Sequence, residues 1–153
     1  MSATAASTHT PAAPAASFLA RRPVWQVSYL SGLAASVVVE TWGLAARAAG
    51  VPMRAAGLGA HHATPVTVGM FAMGTMVVMF WFTFAVVLIA RFAKSPRRTY
   101  LLTALPLLAL SLAVPLTAAD TALSTRLTLA AAHLIAGAII IPAVAWRLSR
   151  FTS

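Results

Sequence analysis

The sequence contains few side chains that could carry chemistry, and two of them stand inside long apolar runs. Glu40 is one of two acidic residues, the other being Asp120, and His133 is the one histidine of four that lies within such a run. A carboxylate and an imidazole can share a hydrogen bond or pass a proton. Ionisable groups in lipid usually face a protein interior or a wet cavity. Glu40 and His133 are therefore the candidate pair, either as a structural lock on helix register or as a proton relay.

The positions of these two residues favour a direct contact. Glu40 lies six residues before Ala46, where its helix is predicted to end, and His133 lies seven residues after Arg126, where its helix is predicted to begin. Both are then roughly 9 to 10 Å inside their helices. A lone carboxylate at that depth is unfavourable, whereas a hydrogen bond to imidazole satisfies both groups. We expect the two side chains to lie within hydrogen-bonding distance, directly or through one water molecule.

Metal ligands are weakly represented. His61 and His62 are adjacent histidines in a loop, a pattern more typical of two solvated side chains than of a metal site. Thioethers bind cuprous ion, but methionines three residues apart on a helix turn by about 60° at each step and do not converge on one point. The methionines so spaced are Met70, Met73, Met76 and Met79. We expect packing methionines, weak metal candidates in His61 and His62, and no cofactor.

Motifs for catalysis are missing from the sequence. The chain has no cysteine. It contains no serine, histidine and acid set with recognisable local spacing, no glycine-rich phosphate loop and no metalloprotease helix. The sequence therefore predicts no catalytic residues.

The elements that must position Glu40 and His133 are membrane-spanning helices. Of the 153 residues, 60% are hydrophobic and 8% are charged, and the mean hydropathy is +0.86. About 20 apolar residues cross a bilayer as a helix, and such runs occupy about 24–46, 65–92, 100–117 and 126–146. An Ala/Thr/Ser/Pro-rich segment at 1–20 predicts a disordered tail. We predict an all-α fold, a four-helix antiparallel transmembrane bundle over 21–150.

Positive charge is concentrated at the ends of the apolar runs. The net charge is +9, and basic residues in these places meet lipid headgroups, so the bilayer and not nucleic acid is the expected partner. Eight basic residues fall on one side of the predicted membrane and three on the other. The eight are Arg21, Arg22, Arg91, Lys94, Arg97, Arg98, Arg147 and Arg150, and the three are Arg47, Arg54 and Arg126. Because cytoplasmic flanks carry the excess, we expect the cytoplasmic membrane with both termini cytoplasmic.

Polar residues gather on the predicted outer side. Arg47, Asp120 and Arg126 form an expected outer polar cluster near the helix ends. Asp120 and Arg126 are predicted to cap helices there.

Small residues mark one face of the first helix. Ser28, Gly32 and Ser36 recur every four residues, and Glu40 continues the stripe. Small residues allow helices to approach closely in lipid. We expect this face to point into the bundle.

Several stretches of the sequence resemble a known family. They are the acidic residue late in the first helix, SLAVPLTAADT closing the third, and AAAHLIAGAIIIPAVA in the fourth, within roughly Val24 to Trp146. This layout is similar to an uncharacterised family of small four-helix actinobacterial integral membrane proteins, a domain of unknown function. The Ala-rich, Arg-over-Lys composition is typical of a high-GC bacterium. The resemblance implies the fold and no particular activity.

Three functions remain open at this stage. We expect a small non-enzymatic integral membrane protein, an interaction or accessory subunit that packs with other membrane proteins as a homo- or hetero-oligomer. The alternative is a proton- or ion-linked small carrier that uses Glu40 and His133. The third is an intramembrane enzyme that modifies lipid.

Overall fold

A computed structural model of the protein describes residues 21–57 and 59–150. Within them the chain forms four α-helices and one short antiparallel hairpin. In chain order these are α1 (Val24–Ala48), β1 (Arg54–Ala55), β2 (Thr64–Pro65), α2 (Met70–Phe92), α3 (Pro96–Thr117) and α4 (Leu123–Ser149). All four helices are long and apolar enough to cross a membrane. The predicted all-α transmembrane bundle is confirmed, and the tail predicted at 1–20 lies outside the described residues.

Three helices begin at residues other than those predicted, and α4 is one of them, since it begins at Leu123 and not at Arg126. For α2 and α3 the reasons are local. α2 begins at Met70, because Pro65 pairs with β1 and because Gly69 adopts left-handed backbone with φ of 90°. α3 begins at Pro96 and not at Tyr100. Proline suits the first position of a helix, since its φ is already helical and the N–H that it lacks would be unpaired there.

The helices pack side by side in the order α2, α1, α4, α3. The first and last of this series, α2 and α3, do not pack closely against each other, so the bundle is open between them. α1 packs along both α2 and α4, and α3 packs on α4, whereas α2 and α3 make few contacts with each other. The start of α1 and the end of α4 meet where Nε of Arg147 donates a hydrogen bond to the carbonyl of Arg22 at 2.7 Å. We call this end the basic side, since the α2–α3 connection there carries further basic residues, and the opposite end the hairpin side.

Small residues on α1 allow α2 to pack closely against it. Ser28, Gly32 and Ser36 are all buried. A Cβ atom at Gly32 would lie 2.7 Å from Cγ of Met79, and the hydroxyl oxygens of Ser28 and Thr83 lie 2.9 Å apart. The prediction that this face of α1 points into the bundle is confirmed.

The connection between α3 and α4 holds the hairpin against the bundle. Oδ2 of Asp120 accepts a hydrogen bond from the N–H of Ala63 at 3.1 Å, and Oγ1 of Thr121 accepts one from the N–H of Ala56 at 3.0 Å. Asp120 was expected to cap a helix. It instead reaches across to the hairpin, because a backbone φ of 46° at Asp120 turns the chain before α4 begins.

Candidate functional site

Glu40 caps the start of α2 from a neighbouring helix. Its Oε1 accepts a hydrogen bond from the N–H of Gly69 at 2.8 Å, and its Oε2 accepts one from the N–H of Ala72 at 3.1 Å. Gly69 is the N-cap residue of α2 and has no side chain with which to cap. Because the first N–H groups of a helix lack partners within that helix, α1 supplies the acceptors that α2 needs.

This contact explains an acidic residue within the apolar length of α1. Glu40 is half-buried and lies eight residues before the end of α1 at Ala48, a distance of about 12 Å along the axis. A helix N-terminus carries partial positive charge, which favours a nearby carboxylate. The charge of Glu40 is therefore compensated by the backbone of α2.

The structure describes both Glu40 and His133. The predicted direct hydrogen bond between them is not formed. Both carboxylate oxygens of Glu40 are engaged by α2. Nδ1 of His133 lies 2.8 Å from the carbonyl oxygen of Leu129, one turn earlier in α4. The pairing prediction placed the start of α2 at Pro65 and so omitted the unpaired N–H groups that compete for the carboxylate.

The contact with Leu129 determines which ring nitrogen of His133 is available. A carbonyl oxygen accepts and cannot donate, so Nδ1 carries the proton, and Nε2 of the neutral ring is an acceptor. Nε2 forms no hydrogen bond with any of the described residues. His133 is half-buried and lines a cavity. The ring therefore offers an unused acceptor to that cavity.

The cavity lies between α2, α3 and α4, beneath the hairpin, and has a volume of about 690 Å³. Its wall on α4 runs from Leu129 to Ile141, which is about 18 Å along the helix. It lies on the side of the bundle where α2 and α3 make few contacts. Binding sites for small molecules typically measure about 300–1,000 Å³. The cavity is therefore large enough for an apolar molecule that enters between these two helices.

The polar side chains of the cavity wall are few. Of the residues that the structure describes, they are Thr64, Thr75, Ser111 and His133. The Thr75 hydroxyl donates to the carbonyl of Phe71 at 2.8 Å, and the Ser111 hydroxyl donates to that of Leu108 at 2.7 Å. The Thr64 hydroxyl, on the hairpin, lies 3.5 Å from the carbonyl of Ala55. The three hydroxyl groups thus face backbone carbonyls and keep oxygen lone pairs as acceptors.

The candidate metal ligands among the described residues do not gather at one site. His62 is exposed in the hairpin connection, and His61 is exposed as well. Across 21–57 and 59–150, no group of three or more His, Cys, Asp or Glu side chains is placed to hold a metal ion. Met73 exposes 61% of its surface while Met79 exposes 2%, so the methionines of α2 point in different directions.

Of the expected outer polar cluster, Arg126 and Asp120 bond to different parts of the backbone, and Arg47 bonds to neither of them among the described residues. Nη1 of Arg126 donates to the carbonyl of Leu116 in the last turn of α3 at 3.4 Å. Asp120 binds the hairpin. Nε and Nη2 of Arg47 are buried and have no hydrogen-bond partner among the described residues.

One known protein family matches nearly the whole chain, including the residues described above. The model of a family of unknown function, DUF6069, matches residues 19–150. The chain belongs to this family. The DUF6069 match includes all four helices and the hairpin, so Glu40, the start of α2 and the cavity all lie inside it. No curated protein and no solved structure matches the chain.

Sequence reasoning identified Glu40 and His133 but not what they contact in this DUF6069 fold. Gly69 and Ala72 act through backbone N–H groups, which side-chain patterns do not reveal. Glycine near the start of an apolar run was an available signal, since glycine is tolerated at the N-cap. The cavity depends on the separation of α2 from α3, and no local sequence pattern encodes that separation.

Proposed function

We propose that this DUF6069 protein is a non-enzymatic accessory protein of a membrane assembly that binds an apolar molecule taken from the bilayer. The observation that carries this proposal is the cavity of about 690 Å³ between α2, α3 and α4. Because α2 and α3 are membrane-spanning helices with few mutual contacts, the gap between them faces lipid. A molecule dissolved in the bilayer can enter there without passing through water.

The composition of the cavity wall supports binding over catalysis. His133 is a potential general base, but no acidic side chain lines the cavity among the described residues, and the chain has no cysteine. An activated nucleophile needs a base in hydrogen-bond reach that a third group orients. The hydroxyl groups of Thr75 and Ser111 donate to backbone carbonyls, which argues against their use as nucleophiles.

A proton- or ion-linked carrier that uses Glu40 and His133 has weaker support. A relay needs ionisable groups that exchange protons along a connected path. Both oxygens of Glu40 accept hydrogen bonds from the backbone of α2. This arrangement favours a structural role for Glu40.

The location and assembly of the protein are part of the proposal. We propose an actinobacterial cytoplasmic membrane with both termini cytoplasmic, which the eight-to-three distribution of basic residues supports. Reporter fusions at Ser153 and in the hairpin connection near Ala60 test the orientation. Assembly with further copies or other membrane proteins is supported by low internal burial, since 11% of the most apolar part of α2 is buried against 39% for α1. Cross-linking in native membranes tests the assembly.

Native mass spectrometry of the purified protein, released gently from membranes, tests the binding function. We expect an apolar molecule to remain bound, and Gly74→Leu to displace it. Gly74 lines the cavity, and a Cβ atom there would meet nothing within 4 Å, so the leucine side chain has room to fill part of the space. Ala109→Leu is the matched control, since Ala109 is exposed on α3 outside the cavity wall. Equal occupancy in the two variants, or none in the wild type, would contradict the proposal.

A further inference from the structure

The chemistry of the cavity wall restricts what the bound molecule can be, and this inference rests on the proposed binding function. The side chain of His133 is held by the contact between its Nδ1 and the carbonyl of Leu129 at 2.8 Å. That contact leaves Nε2 as an acceptor with no hydrogen-bond partner among the described residues. The strongest unused polar atom of the cavity wall is therefore an acceptor.

Two hydroxyl groups that line the same cavity as His133 are also limited to accepting hydrogen bonds. Thr75 and Ser111 donate their protons to carbonyls of their own helices at 2.8 and 2.7 Å. Their remaining capacity is to accept. A ligand whose polar group is an ether, ester or ketone would find no free side-chain donor at these positions, whereas a ligand with a hydroxyl group would find an acceptor.

We infer that the cavity binds an apolar molecule bearing a hydroxyl group, and that this hydroxyl donates a hydrogen bond to Nε2 of His133. The rest of the wall is apolar along α2, α3 and α4, which matches a hydrocarbon body. An isoprenoid alcohol, a diacylglycerol and a prenylated phenol share this chemistry. A hydroxyl that leaves water for the bilayer loses hydrogen bonds, and His133 restores one inside the protein.

The position of His133 along the cavity also orients the ligand. His133 lies four residues from Leu129 and eight from Ile141, which is about 6 Å and about 12 Å along α4. The acceptor is therefore closer to the hairpin side than to the deep end of the cavity. The hydroxyl is placed towards the hairpin and the hydrocarbon body towards Phe82 and Ile141.

Binding of farnesol and of farnesyl methyl ether to the full-length protein in detergent micelles tests the inference. The two probes differ in the hydroxyl donor, and their dissociation constants can be measured by native mass spectrometry titration. We expect wild-type protein to bind farnesol about threefold to tenfold more tightly than the ether, the range of one net hydrogen bond. In His133→Phe the preference should fall to about one, because phenylalanine keeps an aromatic ring and lacks the acceptor.

Two further variants make the result decisive. His133→Leu repeats the test if the phenylalanine variant does not fold, as judged by circular dichroism. Thr75→Val removes a second acceptor and should keep the preference for farnesol. Loss of the preference in Thr75→Val with retention in His133→Phe would overturn the assignment to His133.

The outcomes separate this inference from the function on which it rests. Equal binding of alcohol and ether by the wild type would overturn the hydroxyl requirement and leave apolar binding intact. Binding of neither probe, nor of dioleoylglycerol, nor of a farnesylated hydroquinone, would overturn both. Dependence on His133 with dioleoylglycerol would identify an aliphatic lipid alcohol, and the same dependence with the hydroquinone would identify a phenol.

Discussion

Oε1 of Glu40 lies 2.8 Å from the backbone nitrogen of Gly69, so an acidic side chain of one transmembrane helix completes the start of the next. Oε2 makes the companion bond to the N–H of Ala72. Without Glu40, both N–H groups would lack these acceptors where α2 begins beside the apolar length of α1. The two hydrogen bonds thus satisfy a carboxylate that lies within the apolar length of α1, and they join α1 to the start of α2.

The first prediction concerns the charge of that junction. Glu40→Gln should lower the free energy of unfolding by about 1–3 kcal/mol, because the amide loses the charge and brings its own N–H₂ donor against the N–H groups of α2. Thermal unfolding in detergent micelles measures the loss. Amide hydrogen exchange should accelerate in the first turn of α2, at Met70 to Met73.

The control for this prediction is the neighbouring residue. Thr41 is exposed, and its hydroxyl bonds the carbonyl of Val37 within α1, so Thr41→Val should change stability by less than about 0.5 kcal/mol. A melting temperature of Glu40→Gln equal to that of the control variant would show that the capping bonds contribute little.

The second prediction separates backbone strain from space at the start of α2. A Cβ atom at Gly69 or at Gly74 would meet nothing within 4 Å, but Gly69 has φ of 90° whereas Gly74 lies inside the helix. Gly69→Ala should destabilise the protein by about 1–2 kcal/mol. Gly74→Ala should stabilise it by about 0.5–1 kcal/mol, because alanine is the better helix former. Equal melting temperatures for the two variants would exclude a role for the left-handed backbone.

Hydropathy predicted where the helices lie but did not predict where the chain turns. Lipid requires a spanning backbone to pair within its own helix, so hydropathy located all four helices, and α1 begins at Val24 as expected. Hydropathy does not report where a chain turns. Pro65 belongs to an apolar run, yet it pairs with Arg54 in the hairpin, and α2 therefore begins later than predicted.

In the candidate site, the side chains could be predicted from the sequence but their backbone partners could not. Glu40 and His133 stood out because an ionisable group in lipid needs a partner. Their partners proved to be the N–H groups of Gly69 and Ala72 and the carbonyl of Leu129. Every residue carries such backbone groups, so the sequence could not single them out. The inward face of α1 was predictable, because Ser28 and Gly32 are small at helical spacing.

The third prediction contrasts two close contacts between helices. A Cβ at Gly32 would lie 2.7 Å from Cγ and 3.1 Å from Cβ of Met79, whereas one at Gly137 would lie 2.6 Å from a terminal methyl group of Leu108. Atoms near the Met79 backbone cannot move without shifting α2, but the Leu108 methyl group can rotate towards the cavity that this residue lines. Gly32→Ala should therefore cost about 1–3 kcal/mol.

Gly137→Ala is the matched comparison and should cost less than about 1 kcal/mol, since the side chain of Leu108 can yield. Both values come from thermal unfolding under the same detergent conditions. Similar losses in the two variants would mean that Met79 adapts as readily as Leu108, and that the α1–α2 contact is not the tighter one.

The last prediction concerns the hairpin that covers the cavity. Asp120 holds it through the bond from the N–H of Ala63 to Oδ2, with Asp120 itself at φ of 46°. Asp120→Ala removes the acceptor and places alanine in left-handed backbone, which asparagine and aspartate tolerate better. Trypsin should then cut the purified protein faster after Arg54, an exposed residue of β1.

Asp120→Asn identifies which property of the aspartate matters. Asparagine keeps the tolerance for positive φ and one amide oxygen that can accept from Ala63, so cleavage after Arg54 should accelerate much less than in Asp120→Ala. Melting temperatures measured in parallel show whether either variant unfolds globally. Equal acceleration in both would assign the effect to the carboxylate charge. Unchanged cleavage in both would mean that Thr121, whose Oγ1 accepts from the N–H of Ala56, holds the hairpin without help from Asp120.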